Sequence, residues 1–299
     1  MAKAADFLRK YRVEFFMFLP TFLYLVGFLI LIFYYLVTLS LTNADAGLAG
    51  GFPSLANYRY IFISAEFRSA FLNTVLFVLI GTPLELIAGL VLALIIHKQF
   101  PLRGWVRSFF IIPLAIPAIV SAIILYILFA YPNGHVNNLL MGQYPFFPAI
   151  LETPFNFRAS AFYSLGISLI GKVWRDMPIS MLILLAGLTS ITQDQYAAAE
   201  TMGASERQKF RYITLPLLLP SIASVLLIRS IEMWKEFIFP YFLARRYRLM
   251  GTLIEELYHD WHKTGEATAV SVVLVASIIL SAILLFWFLK RFRQALIRI

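Results

Sequence analysis

Eight charged side chains lie inside stretches that are otherwise apolar: Glu85, then Lys172, Arg175 and Asp176, then Arg229, Glu232, Lys235 and Glu236. Four are basic and four acidic, so the set cancels. A charge in an apolar run faces a partner or a water-filled path, because facing hydrocarbon is expensive. Two uses follow. The groups form internal ion pairs that hold helices together, or some of them line a route for a polar solute. Arg229, Glu232 and Glu236 stand at offsets of 0, 3 and 7, which places them on one face of a helix. Trp174, Trp234 and Tyr241 lie close to these charges in the chain, and aromatic rings suit the C–H faces of sugars. Catalysis has less support. No nucleophile–base pair is evident, and the expected catalytic set is none. The run from Gly166 to Val173 nearly matches a phosphate-binding loop, but it lacks the final Ser or Thr that would hold magnesium and no strand precedes it. His97 and His135 fall in loops on opposite sides of the membrane, and His259 with His262 has no third ligand, so no metal is expected. The absence of cysteine removes disulfides and thiolate chemistry.

The elements that must position these residues are membrane helices. Hydrophobic residues make up 61% of the 299 and charged residues 14%, against about 25% charged in soluble domains. A span needs about 20 apolar residues. Six runs qualify, at about 15–41, 71–96, 109–130, 161–188, 217–241 and 267–289. The first follows Lys3, Arg9, Lys10 and Arg12 as a signal peptide would, but its apolar run is about twice the usual length, so it reads as an uncleaved span. With both termini in the cytoplasm, the inner segments carry fourteen Lys and Arg against seven outside, the bias that cytoplasmic loops show. The net charge of +9 is therefore read as a membrane feature, with lipid as the partner and no nucleic acid. The outer loops are long. One bends at Gly47, Gly50, Gly51 and Pro53; residues 131–160 hold four prolines and several aromatics, which suits a short interfacial element. The chain is a single integral domain, 1–299, of the all-α class.

One polar stretch, 190–216, interrupts this pattern. Thr192 with Gln195 and Ser205 with Gln208 read as two capping boxes. Gly203 lies between them, where a first helix needs a left-handed residue to end. Two short helices with a break at Gly203 are predicted. Ala197, Ala198 and Ala199 should present a flat, narrow surface for a partner protein.

This stretch resembles the signature loop of permeases of the ATP-binding cassette importers: Glu-Ala-Ala, three residues, Gly-Ala, five residues, Phe, two residues, Ile, one residue, Leu-Pro. Ala198, Ala199, Gly203, Ala204, Phe210, Ile213, Leu215 and Pro216 fall in register. Ala197 stands where the family has Glu, with Glu200 three residues on. Over roughly 15–290 the chain is similar to the carbohydrate permeases of the maltose-transporter type. Asn73-Thr74, Gly89, Ala93-Leu94, Arg107, Phe110, Pro113, Gly134, Asn137, Trp174, Pro178 and Ala186-Gly187-Leu188 carry that likeness.

The resemblance implies half of a pore in the bacterial inner membrane, paired with a related second permease. Two ATPase subunits, which hold the ATP and Mg, dock on a coupling helix within 190–214, and an external solute-binding protein delivers a sugar or oligosaccharide. The chain itself would bind no cofactor and would be no enzyme. Ala197, Ala198, Ala199, Glu200, Gly203, Ala204 and Phe210 are the candidate ATPase-coupling residues. Glu85, Trp174, Arg175, Asp176, Arg229, Glu232, Trp234, Glu236 and Tyr241 are candidates for the substrate path. At the outer mouth, Arg245, Arg246 and Arg248 would attract an acidic glycan or serve as a docking surface; importers of polyuronates such as alginate belong to this type. The alternative is an ion-coupled secondary transporter with Glu85 or Glu232 carrying protons, a reading that leaves the Gly203 loop unexplained.

Overall fold

The computed structural model describes residues 12–43 and 51–297. Lys3, Arg9, Lys10, Gly47, Gly50, Arg298 and both chain ends lie outside the described residues. Every regular element described is helical, and no strand occurs among the described residues. They fall into two compact units. One holds the described residues up to Ile63 together with Leu257–Val273; the other holds Ser64–Glu256 and the described residues from Leu274 on.

In the smaller unit, α1 (Arg12–Ser40) is apolar all round, and its most apolar stretch has no buried residue. A bare helix without a polar face belongs in lipid. After it comes α2 (Ala56–Ile63), tied back by Asn57, whose Nδ2 donates to the carbonyls of Ser40 at 3.0 Å and Thr42 at 2.9 Å. Lys263 closes the other segment of this unit, with Nζ 2.9 Å from Glu266 and 3.2 Å from the Tyr60 hydroxyl.

The larger unit is built on α3 (Ala65–His97), α7 (Ala161–Thr189) and α10 (Leu215–Trp234), which pack on one another. Ala93, Ile96, Met181, Leu184, Leu188, Leu218 and Val225 form its core. Gly89 permits the close approach of α3 to α7: a Cβ there would stand 2.6 Å from the Ser180 Cβ, a spacing only a small residue allows. Around this core lie α4 (Arg103–Ala115), α5 (Ala118–Leu128), α6 (His135–Leu140), α8 (Gln193–Thr201), α9 (Glu206–Lys209), α11 (Ile238–Leu243) and α12 (Met250–Glu255); α13 (Thr264–Ile297) closes the described chain. The segment 131–160 contains a short helix, α6, held by Asn137, which accepts from the Phe155 N–H at 2.9 Å and donates to the Phe155 carbonyl at 3.1 Å.

Among the described residues, four helical stretches are long and apolar enough to cross a membrane: Phe16–Ser40, Ala65–His97, Glu206–Leu243 and Thr264–Gln294. A fifth arises if α4 and α5 count as one span, although they meet at 89°. The expectation of an unbroken helix over 109–130 is therefore corrected. Ile116 precedes Pro117 and is extended (φ −82°, ψ 128°), because the proline Cδ crowds the residue before it out of the helical region. At 29 residues α7 is about 43 Å long, ample for a bilayer, but its middle holds Lys172, Arg175 and Asp176. It also contains Gly166–Val173 as continuous helix, so the phosphate-loop likeness has no loop behind it.

A second break follows α10. Residues 235–237 leave the helix before α11 begins. Pro240 has no N–H, and its ring crowds the carbonyl four residues back, which is that of Glu236. Glu236 thus lies beyond the end of α10, and the predicted single face for Arg229, Glu232 and Glu236 does not form.

Candidate functional site

The embedded charges meet around the middle of α7. Lys172 Nζ stands 2.6 Å from Asp176 and 3.0 Å from Glu236. Arg175 reaches Asp176 at 2.5 Å. From α10, Arg229 contacts Glu232 at 2.9 Å, Asp176 at 3.9 Å and, from α3, Glu85 at 3.7 Å. Arg229 and Asp176 are nearly inaccessible and Glu85 is wholly buried. Neither carboxylate oxygen of Glu85 accepts a hydrogen bond among the described residues, so Arg229 compensates it through charge alone. Lys235 is exposed and stands apart from the cluster.

The cluster also serves both helix breaks. Arg175 Nε donates to the Ile116 carbonyl at 3.3 Å, at the bend between α4 and α5. Glu236 Oε1 accepts from the Phe239 N–H at 3.1 Å, at the start of α11. A broken helix leaves backbone groups without intrahelical partners, and these must be met by side chains where water is scarce. Sequence periodicity missed this role. The signals for it were Ile116-Pro117 and Pro240, which mark where backbone groups come free.

The aromatic candidates separate. Trp234 is buried and packs near Phe71, ring centroids 6.4 Å apart, so its face is not offered to a solute in this conformation. Trp174 is 42% exposed. Tyr241 is half-buried between Phe237 and Phe242, with the Arg245 guanidinium 5.6 Å from its ring. The arginines of 245–248 do not act as one bare patch. Arg248 pairs with Glu256 at 2.5 Å and its carbonyl accepts from Asn73 at 3.1 Å, while Arg246 is exposed. Thr74 anchors the same segment by accepting from the Met250 N–H at 2.8 Å. No group of three potential metal-ligating side chains occurs among the described residues.

The polar stretch folds as two helices. α8 ends in a Schellman turn: the Gly203 N–H donates to the Glu200 carbonyl at 2.9 Å and the Ala204 N–H to the Ala199 carbonyl at 3.0 Å. Gly203 has φ +77°, the left-handed region that costs a Cβ-bearing residue. The second capping box forms, with Ser205 accepting from the Gln208 N–H and the Gln208 side chain accepting from the Ser205 N–H at 2.8 Å. The first does not. Thr192 stands at the N-cap of α8, but its side chain makes no capping bond. α9 then runs through a π turn, Phe210–Thr214, into α10.

The three alanines do not share a face. Ala197 and Ala198 are exposed, whereas Ala199 is buried. Glu200 turns back to Lys209, 2.6 Å away, and Lys209 also binds Glu206. This buried lysine joins the two helices and was missed in the sequence; its i, i+3 spacing from Glu206 was the available sign. Around Met202, Gly203, Ala204, Lys209 and Tyr212 opens a groove of about 360 Å³. Phe210 is 36% exposed.

Apolar helices long enough to cross a bilayer, with a buried charge cluster at two breaks, mark an integral membrane protein. Residues 85–298 match the family of the binding-protein-dependent transport system inner membrane component, and the chain belongs to that family of ABC transporter permeases. It is 34% identical over 249 residues to the trehalose/maltose transport system permease MalF of Thermococcus litoralis, covering 81% of each chain. Its fold is similar to a chain of a bacterial ABC transporter involved in the import of the acidic polysaccharide alginate (TM-score 0.77, 20% identity, 97% of this chain and 99% of that one). A second structure of an alginate transporter, in complex with an alginate pentasaccharide-bound periplasmic protein, gives a TM-score of 0.78 at 19% identity, covering 96% and 97%.

Proposed function

We propose that the chain is the permease subunit of an ATP-driven importer and forms half of the translocation pathway for a sugar or oligosaccharide. The observation that carries this reading is the sequence likeness to the trehalose/maltose permease across four fifths of both chains. The pathway is completed by a related second permease. Two ATPase subunits bind ATP and Mg, and an external solute-binding protein delivers the sugar. The protein resides in the bacterial inner membrane with six spans and both termini in the cytoplasm. In this topology α4 and α5 make one broken span and α7 a charged one. α8 to α9 is then the cytoplasmic coupling element. With Glu200 turned to Lys209, Ala197, Ala198 and the exposed Met202 present the surface that the ATPase touches.

A neutral glycan is the favoured cargo, because the sequence relative carries more weight than a likeness of fold. Arg248 is already paired, and Arg245 lies beside Tyr241. The test is uptake into proteoliposomes holding the complete transporter and its binding protein. Labelled trehalose or maltose should accumulate, with alginate oligosaccharide a poor competitor. Strong competition by alginate oligosaccharide, lost on Arg246→Glu, would turn the assignment to an acidic cargo.

A further inference from the structure

A cavity of about 840 Å³ with a basic rim opens where the end of α3, the start of α4 and the junction of α7 with α8 come together. His97, Lys98 and Arg103 line it on one side, and Thr189, Thr192 and Gln193 on the other. Among the described residues no carboxylate contributes to the lining; Asp194, in the first turn of α8, is not part of it. The His97 Nδ1 is buried and has no hydrogen-bond partner among the described residues. The N-terminus of α8 opens here as well. The Thr192 side chain makes no capping bond, and the Gln195 N–H donates to the Thr192 carbonyl at 3.3 Å, so it is the first two N–H groups of the helix that can meet an anion.

A second cavity, of about 460 Å³, adjoins the first through Lys98 and Gln99 and is otherwise lined by Leu94, Ile95 and Phe100. Basic chamber and apolar groove thus share two residues. Beside them Leu102 and Trp105 are 71% and 79% exposed, and a bare tryptophan suits the headgroup level of a bilayer. A free anion would engage the basic side chains but leave most of the chamber and all of the groove without an occupant. A molecule with an anionic head and an acyl tail uses both.

We infer that this corner is a binding site for an anionic phospholipid of the inner leaflet. The headgroup phosphate sits among Lys98, Arg103, His97 and the α8 N-terminus, and an acyl chain lies along Leu94, Ile95 and Phe100. The inference rests on the cytoplasmic placement of α8 proposed above. Its consequence is that lipid joins the α3–α4 corner to the coupling element.

The test is native mass spectrometry of the assembled transporter, delipidated and then exchanged into phosphatidylglycerol or phosphatidylcholine. Wild type should retain phosphatidylglycerol in preference to phosphatidylcholine. Lys98→Gln with Arg103→Gln should weaken that retention by on the order of tenfold or more, since each basic side chain near a headgroup contributes appreciably. Arg246→Gln should leave it unchanged. Equal retention of the two lipids, unaltered phosphatidylglycerol in the double variant, or displacement by millimolar inorganic phosphate alone would overturn the proposal. Sugar uptake measured on the same preparations separates this failure from failure of the transport assignment, because loss of the lipid preference with ATP-driven uptake intact touches only the site.

Discussion

Arg229 is the residue on which the embedded cluster turns, since it faces carboxylates from α3, from α7 and from its own helix. Removing one partner of a buried ion pair leaves an uncompensated charge and costs about 3–5 kcal/mol. Arg229→Met should therefore lower the thermal midpoint of the purified protein strongly. Adding Glu85→Gln should recover part of the loss, because Glu85 accepts no hydrogen bond among the described residues and is compensated by the Arg229 charge. A single variant as stable as wild type would mean that water, not Arg229, compensates these carboxylates. Seven of the eight embedded charges belong to the cluster, and the sequence marks each as needing a partner or a water-filled path; Lys235 is exposed and stands apart. The geometry of the cluster was not legible there. Counting residues places Glu236 on a helical face with Arg229, but the helix ends before it, ahead of Pro240, and the carboxylate reaches Lys172 from the break. The internal pairing of Glu200 with Lys209 was hidden for a related reason, since the two stand nine residues apart across the turn at Gly203.

Helix ends and helix breaks carry the next level. A Cβ at Gly203 would meet nothing within 4 Å, so its substitution tests backbone conformation without steric clash. Gly203→Ala should cost about 1–2 kcal/mol for an L-residue held in the left-handed region. The cost should appear as faster amide exchange over 193–209, and Gly203→Asn should cost less. Equal protection in all three proteins would show that the Schellman turn does not hold the pair together. Ala199→Leu is expected to disrupt the same pair from within, since Ala199 is buried. Ala198→Leu, on the exposed side, should leave exchange unchanged and weaken capture of the ATPase subunit. At Gly89 any larger residue meets Ser180; Gly89→Val should separate α3 from α7 and reduce the yield of folded protein, read as loss of the monodisperse peak in size-exclusion chromatography. The two short polar helices and their break were readable because capping and left-handed glycine are local chemistry. Breaks inside apolar runs were overlooked because hydropathy counts side chains and ignores the backbone groups that Pro117 and Pro240 set free.

At the scale of the molecule, the cluster ties α7 to the bend of α4–α5 through Arg175 and to the break before α11 through Lys172 and Glu236. The polar helix pair runs without interruption from α9 into α10, which carries Arg229 at its far end. In the proposed transporter, a push on the pair would travel along this continuous helix to the charges, and ATP binding on a partner would bias the pathway between outward and inward access by favouring one state. The direct measurement is uptake of labelled trehalose or maltose by proteoliposomes containing the chain, its sister permease and the ATPase, with binding protein on the substrate side. The account predicts uptake that requires ATP and binding protein together, is indifferent to an imposed proton gradient, and falls in Gly203→Pro while ATP hydrolysis persists. Uptake driven by the proton gradient without ATP would contradict it.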